Sequence, residues 1–190
     1  MFIIKNKYYL IIESIKDIDL TKIKSLNKYN IIYRNYKKNV NINDLRAFAA
    51  KCKAKRIEFF IANNINLLTT LKVDGLYISA HNKNLSLNRL KNLKYKLIGS
   101  AHNIKEINLK RTQGCTEILF SRLFKTSYEN KKDFLGVVKF NLLKISRKEN
   151  LVPLGGINFL NLNKLNIVRC NSFALLSEVK KKPAKMRRLF

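Results

Sequence analysis

Cysteine, acidic side chains and long apolar runs are all scarce in this 190-residue chain. Its three cysteines, Cys52, Cys115 and Cys170, are odd in number and lack metal-ligand or redox spacing, so we expect reduced, mostly buried thiols. No apolar run reaches the length of a membrane span, and the amino terminus lacks the features of a signal peptide. With 46% hydrophobic residues, these absences predict a globular, cytoplasmic protein that makes no membrane contact.

The shortage of acidic residues leaves 39 Lys and Arg against 12 Asp and Glu, a formal net charge of +27. A charge of this size is typical of nucleic-acid-binding proteins. The lysines are spread along the chain among many Asn and Ile residues, however, as an AT-rich coding sequence would produce. The one concentrated basic run, residues 180–188, is either a solvated tail, which we favour, or a nucleic-acid arm. No zinc spacing or recognition-helix pattern supports nucleic-acid binding, which is therefore not expected.

Short apolar runs alternate with helical patterns along the whole chain. The runs predict strands at residues 8–12, 30–34, 57–62, 75–78, 96–99, 117–120, from Leu151, and 172–176. Helices are predicted at residues 19–26, 43–55, 65–71, 85–93, 104–112, 137–147 and 160–165, with Asn43 and Asn103 as caps and Gly114 closing the fifth. The alternation indicates an α/β protein, a compact (β/α)₈ TIM barrel at residues 1–179 followed by a basic tail at 180–190. A doubly wound open sheet is the alternative.

Functional residues of such a barrel lie at the carboxyl ends of its strands, which nominates the polar residues that follow each run. They are Arg34 and Tyr36, Asn63 and Asn64, Ser79 to Asn82, Ser100 and His102, Ser121, Arg122 and Thr126, Gly155, Gly156 and Asn158, and Ser177. These residues are candidates because of their position alone, and several of them also have a purely structural interpretation. His102 is placed to cap a helix, His81 lies in a polar turn, and Asn63 and Asn64 form a possible turn.

A glycine pair, Gly155 and Gly156, ends the apolar run from Leu151 and precedes Asn158, where a helix is expected to begin. Paired glycines let backbone N–H groups approach an anion closely, and the free amides of a helical N-terminus add partial positive charge. With the hydroxyl of Ser177 after the last strand, they predict the phosphate site found in the last two loops of this fold. The alternative is a plain Gly-Gly turn.

Several of these segments, in their order along the chain, resemble the thiamine phosphate synthase and thiazole tautomerase (TenI-like) family. Residues 97–103, with Gly99, Ser100 and His102, are similar to its Gly-x-Ser-x-His signature, and residues 118–126 to its sixth strand and Phe-Pro-Thr segment. Residues 74–78 resemble its Asp-Gly-Val-His-Leu strand. Residues 135–136, 154–158 and 173–177 follow in the family's order.

The resemblance implies a TIM-barrel transferase of thiamine biosynthesis that couples hydroxymethylpyrimidine diphosphate to thiazole phosphate and releases pyrophosphate. Its substrates are phosphorylated small molecules, and Mg²⁺ bridges the diphosphate to carboxylates. Gly155, Gly156 and Ser177 are expected to bind the thiazole phosphate. The expected catalytic residues are Ser100, Arg34 and Arg122, and the expected substrate-binding residues are Asn63, Asn64, His102, Thr126 and Asn158. The oligomeric state is not readable from the sequence.

The chain departs from the family at its charged positions. The family's Asn-Asp is Asn63-Asn64 here, and its acidic segment after strand four is residues 79–82, so the carboxylates for Mg²⁺ are replaced by neutral groups. Family lysines are replaced by Tyr36, beside Lys37, and by Glu129, near Lys131 and Lys132. The tautomerase histidine corresponds to Arg122, which cannot act as a general base.

Two explanations of these departures stay open. In the first, the chain is a modified synthase in which basic residues around the mouth, including Arg122 and Lys125, neutralise the diphosphate in place of the metal. Alternatively the barrel has kept its phosphate site and lost its chemistry, leaving a binder of phosphorylated thiamine precursors. A basic nucleic-acid-associated protein is a third hypothesis, which rests on the net charge and the basic tail alone.

Overall fold

The computed structural model describes residues 7–23, 28–35, 41–126 and 133–176. They form a closed barrel of eight parallel strands in sequential order, with β1 paired to both β2 and β8. The strands are β1 Lys7–Ile12, β2 Tyr29–Tyr33, β3 Glu58–Ala62, β4 Gly75–Ile78, β5 Lys96–Ala101, β6 Glu117–Ser121, β7 Asn150–Leu154 and β8 Ser172–Leu175. The closed barrel is confirmed, and the open-sheet alternative is excluded because β8 pairs with β1.

Helical segments follow the strands on the outside of the barrel. The α-helices are α1 Ile42–Ala54, α2 Ile65–Leu71, α3 Ile104–Thr112 and α4 Gly136–Ile145. After β4 and β7 the connections are 3₁₀ helices, Leu85–Leu93 and Leu162–Ile167. The helix expected at 19–26 is wrong within the described residues: two 3₁₀ turns, Ile15–Asp17 and Leu20–Lys22, occupy this connection, and residues 24–27 lie outside the described part.

Asparagine is the residue that begins most of these helical segments. The side chains of Asn41, Asn64, Asn84 and Asn103 each accept a hydrogen bond from a backbone N–H of the following turn. Asn103 is confirmed as a cap, whereas the cap of α1 is Asn41 and not Asn43. Both are good caps, but the chain turns helical two residues earlier than the apolar stripe suggested. Gly114 closes α3 with φ +84°, as expected of a C′ glycine.

The barrel separates two apolar layers. Alternate strand residues fill its interior, and they are Tyr9, Ile11, Ile32, Phe60, Tyr77, Ile98, Leu119, Val152, Leu154 and Ala174. The intervening residues point outward and join the larger cluster under the helices, where Leu45 and Phe48 of α1 and Ile107 of α3 are buried. Within this core Cys52 is free and wholly buried, and burial raises the pKa of its thiol to about 12. Among the described residues, no helix combines the length and apolarity that a membrane crossing needs.

Charged and polar side chains close the amino end of the barrel, where β1, β3, β5, β6 and β7 begin. Glu58 forms ion pairs with Lys96 and, at 3.8 Å, with Lys7. Glu117 accepts hydrogen bonds from the hydroxyl of Tyr9 and, at 3.1 Å, from Asn150 Nδ2. Burial raises the pKa of Glu117, although Lys7 and the Asn150 hydrogen bond oppose the shift.

We expect Glu117→Gln to stabilise the protein at pH 8 and to have less effect at pH 4. Below the ordinary carboxyl pKa of 4.5, residue 117 is protonated in both the folded and unfolded states. As the pH rises toward the higher folded pKa, the unfolded state ionises more readily, so the wild type loses stability that the glutamine variant keeps. Melting temperatures of both proteins from pH 4 to 8 measure this, with the exposed Asp133→Asn as control. A variant that melts below the wild type at pH 8 contradicts it.

Candidate functional site

Four polar side chains lie above the apolar interior at the carboxyl end of the barrel. Ser100 and Ser121 lie within β5 and β6, while Arg34 and Ser79 directly follow β2 and β4. Each comes two positions after an interior residue, namely Ile98, Leu119, Ile32 and Tyr77. Because side chains alternate along a strand, all four continue the inward-facing rows. They form a polar layer over an apolar floor, which is where a small polar substrate would bind in this fold.

Arg34 is a half-buried cation in this layer. Its backbone N–H donates to the carbonyl of Ile12 at 2.8 Å, so the β1–β2 ladder continues one residue beyond β2 and fixes the position of Arg34. Ser100 is 7% exposed. A guanidinium and a hydroxyl held at the same end of a rigid barrel, at the ends of β2 and β5, are suited to an anionic substrate group.

The loops after β3 and β4 are held together by asparagine side chains. Asn63 has φ +56°, and its Oδ1 accepts from Ser79 N at 3.0 Å and from Asn82 Nδ2 at 3.2 Å. Asn64 Oδ1 accepts from Leu67 N at 2.9 Å and caps α2. The expected substrate-binding residues Asn63 and Asn64 therefore have structural partners, and their contact with substrate stays a prediction.

The magnesium ion that the resemblance implies does not fit these loops. Residues 63–64 and 79–84 carry no carboxylate, and their asparagine side-chain oxygens already accept backbone N–H groups. Within the described residues, no three His, Cys, Asp or Glu side chains are grouped as a metal site. Hard dications prefer carboxylate oxygens, which this side of the mouth does not provide.

His102, after β5, is fixed by the first turn of α3. Its backbone N–H donates to Glu106 Oε2 at 2.7 Å, and its Nδ1 lies 3.0 Å from the same oxygen. Burial alone would raise the pKa of Glu106, but these hydrogen bonds from His102 hold it below its usual range. His81 stacks on His102, with ring centroids 6.3 Å apart and an interplanar angle of 27°. The pair joins the β4 and β5 loops at the rim.

Close approach of the loops after β6 and β7 explains the glycine pair. Leu123 N donates to Leu154 O at 2.9 Å and Phe124 N to Gly155 O at 3.0 Å, so the ladder continues past both strands. Gly155 and Gly156 have φ values of +91° and +71°. A Cβ on Gly156 would lie 2.3 Å from Phe124 O, and one on Gly155 would lie 2.8 Å from Cγ of Arg122.

Arg122 thus packs its alkyl chain against Gly155, at the contact between the two loops. Its Nη1 lies 3.5 Å from Thr126 Oγ1, so the structure brings two predicted site residues together. Contact of Arg122 or Thr126 with a substrate stays a prediction.

The segment after the glycine pair is an asparagine-locked turn and not the start of a helix. Asn158 Oδ1 accepts from the backbone N–H of Leu160 at 2.9 Å and of Asn161 at 3.2 Å. Asn161 Nδ2 donates to Gly156 O at 2.7 Å. The helical segment expected at residues 160–165 is the 3₁₀ helix Leu162–Ile167, which begins two residues later because these side chains hold a separate turn before it. A helix N-terminus therefore does not directly follow the glycines.

Several predicted positions fall outside the described residues. They are Tyr36, Lys37, Glu129, Lys131, Lys132, Ser177 and the basic run 180–188. Lys110 and Gln113, two wholly buried polar residues at the end of α3, are not among the residues predicted from the sequence. Apart from each other, their partners lie 28 to 31 residues away, which local patterns do not reveal.

The chain matches the model of a known protein family and is similar to curated proteins. The family model for thiamine monophosphate synthase matches residues 21–179. A thiamine-phosphate synthase of Prochlorococcus marinus is 28% identical over 144 residues, covering 74% of this chain and 41% of that protein. One of Methanococcus vannielii is 24% identical over 125 residues, covering 64% and 59%. The chain therefore spans less than two thirds of the length of these curated relatives.

Solved structures show the same fold. Thiamine phosphate pyrophosphorylase from Pyrococcus furiosus superposes with a TM-score of 0.74 at 15% identity, covering 98% of this chain and 96% of that one. 3-Hexulose-6-phosphate synthase from Salmonella typhimurium gives a TM-score of 0.64 at 13% identity, with 96% and 95% covered. At these identities the structures support the barrel and carry no statement about substrate.

Proposed function

Because this chain belongs to the thiamine monophosphate synthase family, we propose that it couples hydroxymethylpyrimidine diphosphate to thiazole phosphate in thiamine biosynthesis. The observation that carries the proposal is the polar layer of Arg34, Ser79, Ser100 and Ser121 over the apolar barrel interior. This arrangement offers a cation and hydroxyl groups to a phosphorylated substrate and an apolar surface to its ring.

The chemistry asks little of the protein beyond positioning and charge neutralisation. The bond between the pyrimidine methylene and the diphosphate breaks, and its electron pair leaves with pyrophosphate. The nitrogen of the thiazole ring then donates its lone pair to the pyrimidine cation. Arg34 and Ser100 would bind the leaving diphosphate and stabilise its developing charge. The loops that meet at Gly155 and Arg122 would hold the thiazole phosphate.

We further propose that arginine and lysine side chains replace the magnesium ion in neutralising the diphosphate. The loops after β3 and β4 lack carboxylates, whereas Arg34, Arg122 and Lys125 follow β2 and β6. Guanidinium groups can bind phosphate oxygens in bidentate fashion. An excess of basic residues, with a net charge of +27, also raises the local concentration of anionic substrates.

A coupling assay with both substrates, run with Mg²⁺ and with a chelator, tests these proposals. We expect thiamine phosphate to form in both conditions at rates within about tenfold of each other, and Ser100→Ala to slow it about tenfold or more through loss of one charge-assisted hydrogen bond. Turnover that requires Mg²⁺ overturns the replacement of the metal. Absence of turnover in both conditions overturns the synthase assignment.

The second candidate is a barrel that binds a phosphorylated thiamine precursor without converting it. The neutral residues Asn63, Asn64 and Asn82 in the loops after β3 and β4 favour this alternative. Thermal stabilisation by thiazole phosphate without turnover in the coupling assay would support it. Salt-sensitive binding of DNA or RNA that survives removal of residues 180–190 would instead support the nucleic-acid alternative.

A further inference from the structure

The end of α3 buries a lysine and a glutamine beneath the loop that follows β4. Lys110 and Gln113 are both 0% exposed. Lys110 Nζ donates to the carbonyl of Asn82 at 2.8 Å and to Gln113 Oε1 at 2.8 Å. Gln113 Nε2 donates to the carbonyls of Asn82 at 2.9 Å and Asn84 at 3.0 Å. Four hydrogen bonds therefore link the two side chains to one another and to the backbone of residues 82–84.

Gly99 of β5 provides the space that the stem of Lys110 occupies. A Cβ at residue 99 would lie 2.9 Å from both Cγ and Cδ of Lys110, and 3.0 Å from the sulfur of Cys115. These separations are too short for non-bonded carbon atoms, so a larger residue at 99 would displace the lysine. The backbone conformation of Gly99 is one that any residue can adopt. Glycine is therefore required here for close packing and not for its conformational freedom.

The tethered loop carries the side chains that join two parts of the mouth. Asn82 donates from Nδ2 to Asn63 Oδ1 at 3.2 Å, which connects the loop to the end of β3. His81 stacks on His102 after β5. His102 is bonded to Glu106 in the first turn of α3. One helix thus fixes both loops, through Glu106 at its beginning and through Lys110 near its end.

Packing alone does not account for a charged residue at position 110. Burial disfavours the ammonium and lowers the pKa of Lys110 to about 8. A methionine or leucine would fill the same volume without this desolvation cost. The lysine instead donates a charged N–H to the carbonyl of Asn82, in a loop that has no regular secondary structure before Leu85.

We propose that Lys110 is a positioning residue, which holds residues 79–84 so that Ser79, His81 and Asn82 keep their places at the mouth. Its role in substrate binding rests on the proposed function, whereas the tethering itself does not. Lys110 is wholly buried and is not proposed to contact the reacting atoms. It acts through the carbonyl of Asn82, and the consequence is a β4 loop that is already ordered when the diphosphate-bearing substrate arrives.

Hydrogen exchange tests the tethering without any need for turnover. In Lys110→Met, which keeps the stem and removes the donors, we expect amide exchange in residues 79–84 to rise at least about tenfold, because the loop opens locally. Exchange in β1 and α1 should stay within twofold of the wild type. Lys105→Met, an exposed lysine on the same helix, is the matched control and should change neither region. Unchanged exchange at 79–84 overturns the proposal.

A second variant keeps the test decisive if Lys110→Met does not fold. The double change Gly99→Ala and Lys110→Ala refills part of the vacated space with a methyl group while removing the tether. It should show the same local rise in exchange at 79–84. Folded protein in which these amides exchange as slowly as in the wild type contradicts the tethering.

Steady-state kinetics test the link to substrate. For a folded Lys110→Met we expect the KM for hydroxymethylpyrimidine diphosphate to rise about fivefold or more, with kcat changed less than twofold, since an untethered loop weakens binding more than chemistry. If the wild type shows no turnover, the affinity for inorganic pyrophosphate replaces KM as the measurement. Faster loop exchange with unchanged KM and unchanged pyrophosphate affinity overturns the functional part of the proposal.

Discussion

Replacing Gly156 with alanine is expected to lower the free energy of unfolding by about 3 kcal/mol. A non-glycine residue in the left-handed region costs about 1 kcal/mol, and an overpacked methyl group costs about 2 kcal/mol. Both terms apply, because Gly156 has φ +71° and its Cβ would lie 2.3 Å from Phe124 O and 2.6 Å from Lys125 O. These neighbours are backbone atoms, which cannot rotate away as a side chain can. Urea denaturation at pH 7 measures the loss.

Gly136→Ala is the matched control for this prediction. Gly136 has a similar φ of +75°, but its Cβ would meet only Phe134 Cε2 at 4.0 Å. It therefore reports the conformational term alone, and we expect a loss of about 1 kcal/mol. If the two variants lose the same stability, the close approach of the β6 and β7 loops is not what requires glycine at 156, and anion binding would again be the better explanation.

The two glycines illustrate what a sequence pattern leaves undetermined. The pattern around Gly155 and Gly156 predicted a phosphate site, with a plain Gly-Gly turn as the alternative; both glycines have positive φ, and phosphate binding stays a prediction. The pattern could not distinguish an approaching anion from an approaching backbone, because both require the missing Cβ. The backbone that approaches belongs to Phe124 and Lys125, about 30 residues earlier in the chain. The parallel pairing of β6 with β7 brings their loops together.

Most regular elements were predictable because their signals are local. The helices Ile65–Leu71 and Ile104–Thr112 and the strand Gly75–Ile78 have the predicted bounds. In each case an asparagine cap, or an apolar run after a glycine, lies within a few residues of the boundary. The helix predicted after β1 was wrong, because the apolar spacing of Leu20 and Ile23 also suits a 3₁₀ turn that buries both residues.

The candidate site divides in the same way. Strand ends could be located, so Arg34, Ser100 and Arg122 were placed at the correct end of the barrel. The hydrogen bonds of the asparagine side chains in the loops could not be foreseen, since the partners of Asn63 are 16 and 19 positions away. Lys110 looked like an ordinary helix surface residue because lysine on a short helix is usually exposed. Its burial depends on the space at Gly99 in another element.

Arg34→Met is expected to lower the affinity for inorganic pyrophosphate about a hundredfold in the presence of a chelator. Arg34 is half-buried, follows β2 directly and is fixed by the hydrogen bond from its backbone N–H to Ile12 O at 2.8 Å. A bidentate, charge-assisted contact from such a guanidinium to a phosphate contributes about 3 kcal/mol, which corresponds to about a hundredfold in affinity. Isothermal titration calorimetry with and without Mg²⁺ measures the change.

Stability separates this binding role from a structural one. Methionine keeps most of the apolar volume of the side chain, so the unliganded variant should keep the fold, and its melting temperature measures what the guanidinium contributes to stability. Arg34→Lys should lose about tenfold in affinity, because an ammonium keeps the charge but not the planar pair of donors. Arg46→Met, an exposed residue on α1, makes the same change in net charge and should leave pyrophosphate binding unaltered. If Arg34→Met destabilises the fold and still binds pyrophosphate normally, the guanidinium stabilises the barrel and the diphosphate must be neutralised by other cations of the mouth.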